Sequence, residues 1–499
     1  MNITHSSLHA RSSFWHSLFK AESVAVIGAN NTVGTWGYDA LRSLLLPLNE
    51  GIKRRVYAVN PNIPEIQGLK TFPTILDIPD PVELAVIVVR ADIVTSILRQ
   101  CVEKGVKAAV IISAGFAEVD EAGARLEAEL VEIAQKGNLY FVGPNCLGHA
   151  DAHSKLASCG IGSRIGPGSM ALLSQSGTLG ASIIQNVASR GIGLSKFVGT
   201  GNEASIHLED YLEYLAEDED TQVITAYIEG LREGRRFFDL AREITGKKPM
   251  VVIKTGSTGE SARAARSHTS ALSGADAIYS AAFKQAGVIR AEDDDELCDV
   301  VVALQSQPLP RGNRVGILTM GGGFGVVTAE ACEKEGLKIA SLEEQTIQKM
   351  NAILPPRWSH GNPVDLVGMR AMGEDTVVST CLTLLLEDNN VDCIISLLPP
   401  FTPFPPQGLN NNLSPEQIKA MHLEYQRRIE NLNQQARKHG KPVFLIRRFF
   451  NVPPGEPEIS STGIKERIPE YPSHRRAARV LRHLVWYHQY LDKRTAGKV

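Results

Sequence analysis

The stretch "SVAVIGANNTVGTWG" (23–37) sets the fold. An apolar, β-rich run, "SVAVIGA" (23–29), is followed by glycines at 28, 34 and 37, where a helical pattern opens. A strand that is apolar on both faces belongs in a parallel sheet covered by helices. Glycines at such a turn let backbone N–H groups approach a phosphate, and the helix start favours negative charge. The same texture recurs at "RRVYAVNP" (54–61), "VELAVIVV" (82–89), "KAAVIIS" (107–113) and "LYFVGPN" (139–145), with helical patterns over 91–105 and 122–137. Repeated βαβ units with short loops predict a doubly wound, Rossmann-like α/β domain over 1–150.

A second α/β series covers 151–307. Its predicted strands are "SMALLS", "LSKFVGTG", "VITAYIEG" and "PMVVIKTG". After the last comes a strip of small residues, "KTGSTGESARAARSHTSALSG" (254–274), in which His268 stands alone. "QPLPRGN" (307–313) reads as a linker. The third series, over 308–499, opens with "RVGILTMGGGFGVVTAEACEKEG" (314–336). Ser414 and Gln417 have capping-box spacing, Pro415 suits a first turn, and Gly440 closes that helix. The stretches 399–413 and 452–472 read as irregular, and a final helix is predicted over 473–493.

A chain of 499 residues, 43% apolar and 21% charged, is an ordinary globular protein of several domains. A net charge of −3 argues against a nucleic-acid partner. The seven cysteines, at 101, 146, 159, 298, 332, 381 and 393, form neither a disulfide frame nor a zinc pattern, so no metal site is expected. The N-terminus lacks a signal-type apolar core and no later run has membrane length, which predicts a cytoplasmic protein.

The glycine turn at 28–37 is wider than GxGxxG. A dinucleotide site also wants an acidic residue at the end of the second strand, where Asn60 and Pro61 stand instead. Dinucleotide binding is therefore disfavoured, whereas another phosphate-bearing nucleotide ligand fits.

Three ordered blocks then give a resemblance that covers essentially the whole chain. "SVAVIGANNTVGTWG", "VYAVNPNIPEIQGLKTFPTILDIPDPVELAVIVV", "ISAGFAEV" and "FVGPNCLG" resemble the CoA-binding domain of NDP-forming acyl-CoA synthetases. "LLSQSGTLGASI", "GTGNEASIHLEDYLEYLAED", "AYIEG" and "RSHTSALSG" resemble that family's flavodoxin-like second domain, as in the succinyl-CoA synthetase α chain. "GILTMGGGFGVVTAEACEKEGL" and "NPVDL" (362–366) resemble its third, which the resemblance implies is a further flavodoxin-like α/β domain. The implied activity is ADP-forming interconversion of acyl-CoA, nucleoside diphosphate and phosphate with a carboxylic acid, CoA and triphosphate.

The resemblance makes His268 a transient phosphohistidine. An imidazole is nucleophilic near neutral pH because its ordinary pKa is about 6.5. It can accept a phosphoryl group from an acyl phosphate and pass it on. A segment of Gly, Ser and Ala has few contacts to break on moving. Lys254, Arg263 and Arg266 are placed to offset the phosphate charge. An exposed loop histidine without a role is the plain alternative.

The resemblance also carries the histidine-orienting carboxylate onto Glu229, with Glu203 second. It carries the phosphate-binding turn onto Ser176, Gly177 and Thr178, and CoA contacts onto Gly28, Asn31, Gly34, Asn60, Pro61, Ser113 and Asn145. Cys146 reads as core. Ser270 and Asn30 depart from the family's glycine and serine, both small polar changes. No GxxxxGK[ST] or ATP-grasp domain is recognisable. The resemblance therefore implies a separate ATP-grasp β subunit holding nucleotide and Mg2+, in an α2β2-type hetero-oligomer. A CoA or acyl-CoA sensor that kept the fold and lost catalysis is the alternative.

Overall fold

Short apolar runs separated by amphipathic stretches hide best as parallel strands beneath helices, and the chain does this three times. The computed structural model describes residues 5–160, 166–256, 276–367, 374–397, 414–446 and 467–497. It divides into two compact units, Met1–Leu297 and Cys298–Val499.

In the first unit, β1 (Ser23–Ile27), β2 (Arg55–Val59), β3 (Glu65–Ile66), β4 (Leu69–Phe72), β5 (Leu84–Ile87), β6 (Ala108–Ile111) and β7 (Tyr140–Val142) form one sheet. Its order is β3-β4-β2-β1-β5-β6-β7. All pairs are parallel except the β3–β4 hairpin. The order reverses direction at β1, the switch point at which open α/β sheets take ligands. Helices α1 (His5–Lys20), α2 (Trp36–Leu45), α3 (Ala91–Lys104) and α4 (Glu121–Lys136) belong to this part. In α3, Val94, Leu98 and Cys101 make the buried stripe, and Gly105 ends the helix at φ 81°. Asp120 caps α4 by accepting from the Gly123 N–H at 2.8 Å.

The helix α1 is not foreseen from the sequence. It buries Phe14, Leu18 and Phe19 completely or nearly so, each contributing about 1.5–3 kcal/mol. The Leu18 carbonyl accepts from His149 Nε2 at 2.5 Å, and burial pushes His149 down to about 4, so that ring is neutral.

The second sheet contains β8 (Gly148–Asp151), β9 (Leu156–Ala157), β10 (Pro167–Ser174), β11 (Leu194–Gly199), β12 (Val223–Ile228), β13 (Met250–Lys254) and β14 (Ile289–Ala291). The order is β14-β13-β12-β10-β11-β8-β9, parallel from β14 to β11, with β8 antiparallel to β11 and β9 antiparallel to β8. Helices α5 (Gly177–Ser189), α6 (Leu208–Glu217), α7 (Gly234–Ile244) and α8 (Asp276–Ala286) accompany it.

Lys196 on β11 is register partner to Asp151 on β8. Its ammonium lies 3.3 Å from Asp151, 3.0 Å from Asp218 and 3.4 Å from Asp220, and its side chain is 1% exposed. Burial opposes its charge, but the three carboxylates win and raise its pKa. Removing one partner of such a cluster strands buried charge. Lys196→Met is expected to cost about 3–5 kcal/mol of unfolding free energy in urea titrations. A loss below about 1 kcal/mol, as for an exposed pair, contradicts this reading.

The unit boundary falls within α9 (Asp294–Ser306). In the second unit β15 (Arg314–Thr319), β16 (Lys338–Ile339), β17 (Val364–Asp365), β18 (Cys393–Ser396), β19 (Val443–Ile446) and β20 (Glu470–Tyr471) form a third parallel sheet. Its order is β16-β15-β18-β19-β20, with β17 also on β15. Helix α10 (Gly322–Lys334) begins within "MGGGFG" (320–325), with Gly321 as its N-cap, and α11 (Glu344–Asn351) and α12 (Glu374–Glu387) follow in turn. The predicted helix start is observed: α13 (Pro415–His439) has its Ser414–Gln417 capping box, and Gly440 ends it at φ 65°. The last helix, α14 (His474–Thr495), is capped by Ser473. The strand β20 lies within a stretch whose sequence reads as irregular; two residues give too short a run for periodicity to show.

"NPVDL", which offers no chemistry as a sequence, has a structural role. Asn362 Nδ2 donates to Val315 O and Ala340 O, and its Oδ1 accepts from the Ile317 N–H. The amide thereby fixes β17 against β15.

Candidate functional site

The CoA candidates gather at the C-terminal edge of the first sheet. Gly28 follows β1 with φ 92°, and a Cβ there would stand 2.2 Å from Val88 O, so only glycine fits. Asn30 organises the loop: its Oδ1 accepts from the Thr32 N–H at 2.8 Å and the Thr35 hydroxyl at 2.7 Å. Gly34 sits at φ 83° in open space, flanked by exposed Val33 and Trp36, an apolar rim that composition does not flag.

Several polar candidates bond the protein itself. Asn31 Nδ2 donates to Glu65 O at 3.1 Å and its Oδ1 accepts from the Gln67 N–H at 2.9 Å. Asn60 Nδ2 donates to Ala29 O at 2.8 Å, joining the ends of β1 and β2, and Pro61 follows exposed. The Ser113 hydroxyl donates to Val89 O at 2.5 Å. Asn145, at φ 55°, donates its N–H to Ser113 O at 2.8 Å. These side chains shape the edge through bonds within the protein. Cys146 is buried and its thiol is pushed up to about 12 by burial, which makes it an inert core residue.

A second cluster occupies the C-terminal edge of the second sheet. Ser176 is the N-cap of α5; its hydroxyl accepts from the Leu179 N–H at 3.4 Å and lies 3.4 Å from the Thr178 hydroxyl. Gly177 begins the helix, so Ser176, Gly177 and Thr178 stand together at its positive end.

Gln175, which nothing in the sequence singles out, joins this turn to Glu229. Its Oε1 accepts from the N–H groups of Glu229 at 2.6 Å and Gly230 at 3.0 Å. Its Nε2 donates to Gly230 O at 2.8 Å and Glu203 Oε1 at 2.9 Å. All four hydrogen-bonding positions of the amide are occupied. Glu229 is partly buried beyond the end of β12, and its carboxylate interacts with the Tyr227 hydroxyl. Lys254 Nζ donates to Glu229 O at 2.9 Å and lies 4.5 Å from the Tyr279 ring centroid. Burial lowers the Lys254 pKa, with Arg290 adding to the effect.

Glu203, the second candidate for the histidine-orienting carboxylate, accepts from Gln175. It is 2% exposed, sits at φ 55°, and also accepts from the Thr200 hydroxyl at 2.8 Å. Burial raises its pKa from 4.5 to about 7, against the pull of Gln175 and Thr200. The folded state thus holds a proton that the unfolded chain releases between about pH 4.5 and 7. Folding stability falls as pH rises through that window, by at most about 3 kcal/mol. Glu203→Gln should flatten the slope of stability against pH over that range; an unchanged slope contradicts the assignment.

The two edges meet. A Cβ on Gly201 would stand 2.4 Å from Pro144 O, so the segment after β11 fits against the loop after β7 only as glycine. Asn202 Nδ2 donates to Glu118 at 2.5 Å and Glu127 at 2.8 Å, and Arg232 donates to Asn202 O at 2.6 Å. The Asn145 amide lies 3.3 Å from Asn202 Oδ1.

His268, Arg263 and Arg266 lie outside the described residues. The residues bounding their segment are tied together at this same edge. Arg290 donates to Lys254 O at 3.1 Å and pairs with Asp276 at 2.6 Å.

Three successive stretches match known families: a CoA binding domain over 22–151, a succinyl-CoA ligase-like flavodoxin domain over 167–304, and a ligase-CoA domain over 315–403. The chain is 44% identical over 379 residues to the acetate–CoA ligase (ADP-forming) II subunit alpha of Pyrococcus furiosus, covering 76% of this chain and 81% of that one. It is 41% identical over 347 residues to the acetate–CoA ligase (ADP-forming) of Methanocaldococcus jannaschii, covering 70% of this chain but 48% of the relative. A solved structure of the dinucleotide-forming acetyl-coenzyme A synthetase 1 of Ca. Korarchaeum cryptofilum, in complex with phosphate and ADP, superimposes with a TM-score of 0.80 at 31% identity. That match covers 98% of this chain and 99% of the other. With the glycine-shaped edge of the first sheet and the helix-capped turn of the second already in place, the chain belongs to the NDP-forming acyl-CoA synthetase family.

Proposed function

We propose that this chain is the CoA-binding and phosphoryl-carrying part of an ADP-forming acyl-CoA ligase. The observation that carries the reading is the Gln175 clamp. It holds Glu229 beside the positive end of α5, at the edge where the segment bearing His268 departs and returns. Phosphate attacks the thioester carbonyl of acyl-CoA, giving an acyl phosphate and releasing CoA as its thiol. The His268 imidazole then takes the phosphoryl group, releasing the carboxylate. Glu229 orients the ring and supports its developing positive charge. Ser176, Gly177 and Thr178 bind the phosphoryl oxygens through backbone N–H groups and the helix end. Phosphohistidine finally yields its phosphoryl group to ADP, and every step runs in reverse.

CoA lies along the C-terminal edge of the first sheet, at Gly28, Asn31, Gly34, Asn60, Pro61, Ser113 and Asn145, with Val33 and Trp36 beside it. The chain is organised for this as domains 1–150, 151–307 and 308–499. Nucleotide and Mg2+ are held by a separate ATP-grasp β subunit in an α2β2-type assembly in the cytoplasm. The likeness to an alpha subunit supports the separate partner; the chain spans about half the length of the Methanocaldococcus jannaschii relative. Among the described residues no helix is long and apolar enough to cross a membrane.

Calorimetric titration of the chain alone with CoA and with ADP tests this division. CoA binding without measurable ADP binding is expected. Stoichiometric ADP binding would place the nucleotide site on this chain and overturn the need for a β subunit.

A further inference from the structure

We infer that His207, Glu209 and Glu233 form a binding site for a divalent transition-metal cation. One ligand atom from each lies within 4.8 Å of those from the other two. His207 and Glu209 stand at the start of α6, and Glu233 immediately precedes α7. These ends of two successive strand–helix units meet at the surface, beside an open cavity of about 650 Å³ whose lining includes Glu233, Arg236 and Asp239.

A second observation concerns Glu209 alone. This carboxylate is 0% exposed. Its Oε1 accepts from the Glu233 N–H at 3.2 Å, whereas its Oε2 is buried without a hydrogen-bond partner. A carboxylate oxygen out of water and without a donor is costly, and a cation is the group that satisfies it. The surroundings point the same way. Arg236 pairs with Asp210 at 2.8 Å, Glu213 at 2.8 Å and Glu233 Oε2 at 2.7 Å, and Arg11 pairs with Asp210 at 3.3 Å and Glu213 at 3.5 Å. Three carboxylates thus share two guanidinium groups and Glu209 adds a fourth that pairs with neither, which leaves negative charge for a cation to offset. The Arg236 contact engages one Glu233 oxygen, and the other remains for the ion.

One imidazole nitrogen with two carboxylates suits Zn2+ or Mn2+, whereas Mg2+ and Ca2+ prefer oxygen ligands throughout. Bonds of about 2.1 Å would draw the ligand atoms to about 3.4 Å apart, a closure within reach of side-chain rotation. Three protein ligands leave further positions to water. Since Glu233 lies four residues after Glu229, an occupied site would fasten the segment leaving β12 to the start of α6. The site itself does not depend on the phosphohistidine reading.

Mn2+ titration of the chelator-stripped full chain, followed by electron paramagnetic resonance, tests the assignment, with Zn2+ titrated in parallel by calorimetry. All seven cysteines are buried, so thiol capture of Zn2+ in the folded chain is suppressed. One bound ion per chain is expected, weakened by more than about tenfold in both Glu209→Gln and His207→Ala. Both variants should melt near the wild-type temperature without added metal, and His268→Ala should bind Mn2+ and Zn2+ as the wild type does. No stoichiometric ion in the wild-type chain, or equal binding in folded Glu209→Gln and His207→Ala, overturns the site. Loss of the ion in His268→Ala would move it to the phosphoryl-carrying segment and equally overturn it.

Discussion

His268→Asn should lower acyl-CoA-dependent ATP formation by about four orders of magnitude or more while leaving CoA affinity within about twofold. Asparagine keeps polarity and approximate size but has no nitrogen that can accept a phosphoryl group, so the covalent route closes. CoA affinity is preserved because the CoA candidates sit on the first sheet, around Gly28 and Asn145. The proposed phosphoryl site at Ser176, Gln175 and Glu229 sits on the second. Paired measurements of kcat and of the CoA dissociation constant decide the matter. If CoA binding falls with turnover, the segment around His268 is part of the CoA pocket and its assignment as a carrier is wrong. If turnover survives, no phosphohistidine at this position is needed.

Gln175→Ala should reduce kcat by about a hundredfold, again with CoA affinity unchanged. The amide has four partners, and two of them are the N–H groups that set the direction of the chain at Glu229 and Gly230. Without it the turn at Glu229 loses its anchor to the Ser176 turn, and Glu203 loses a donor within a closed environment. A displacement of about 1 Å in a positioning group costs about a hundredfold in rate. Glu203→Gln, which leaves Gln175 in place, should cost much less at pH 8. Equal losses in the two variants would mean that Gln175 acts only through stability; thermal melts beside the kinetics separate these outcomes.

The parallel sheets were legible because their strands are continuous apolar runs, as in Val24–Ile27 and Val251–Ile253, ending at glycines or small polar residues. Capping chemistry at Ser414 was legible because all of its signal lies within four residues. Helix α1 was not, because its buried Phe14, Leu18 and Phe19 stand among serines and histidines without a charged face to mark the period. Gln175 was invisible for a different reason. Its partners lie 28, 54 and 55 positions away, and nothing in "SQSG" distinguishes a clamp from an ordinary turn. The same distance effect hid the difference in setting between the two carboxylates. Glu203 and Glu229 are both plain glutamates after strands, and only the fold shows that one is sealed against Thr200 while the other borders Tyr227. His207, Glu209 and Glu233 likewise come together only when α6 and α7 are placed side by side.

The proposed function stands or falls with phosphoryl transfer to His268. Incubation of the purified chain with acyl-CoA and radiolabelled phosphate, followed by peptide mapping, tests it directly. Label that is stable in base, lost in acid and confined to the peptide containing His268 is expected, with none on His268→Asn. Absence of that label with a range of acyl-CoA substrates, and from ATP in the presence of the β subunit, would contradict it.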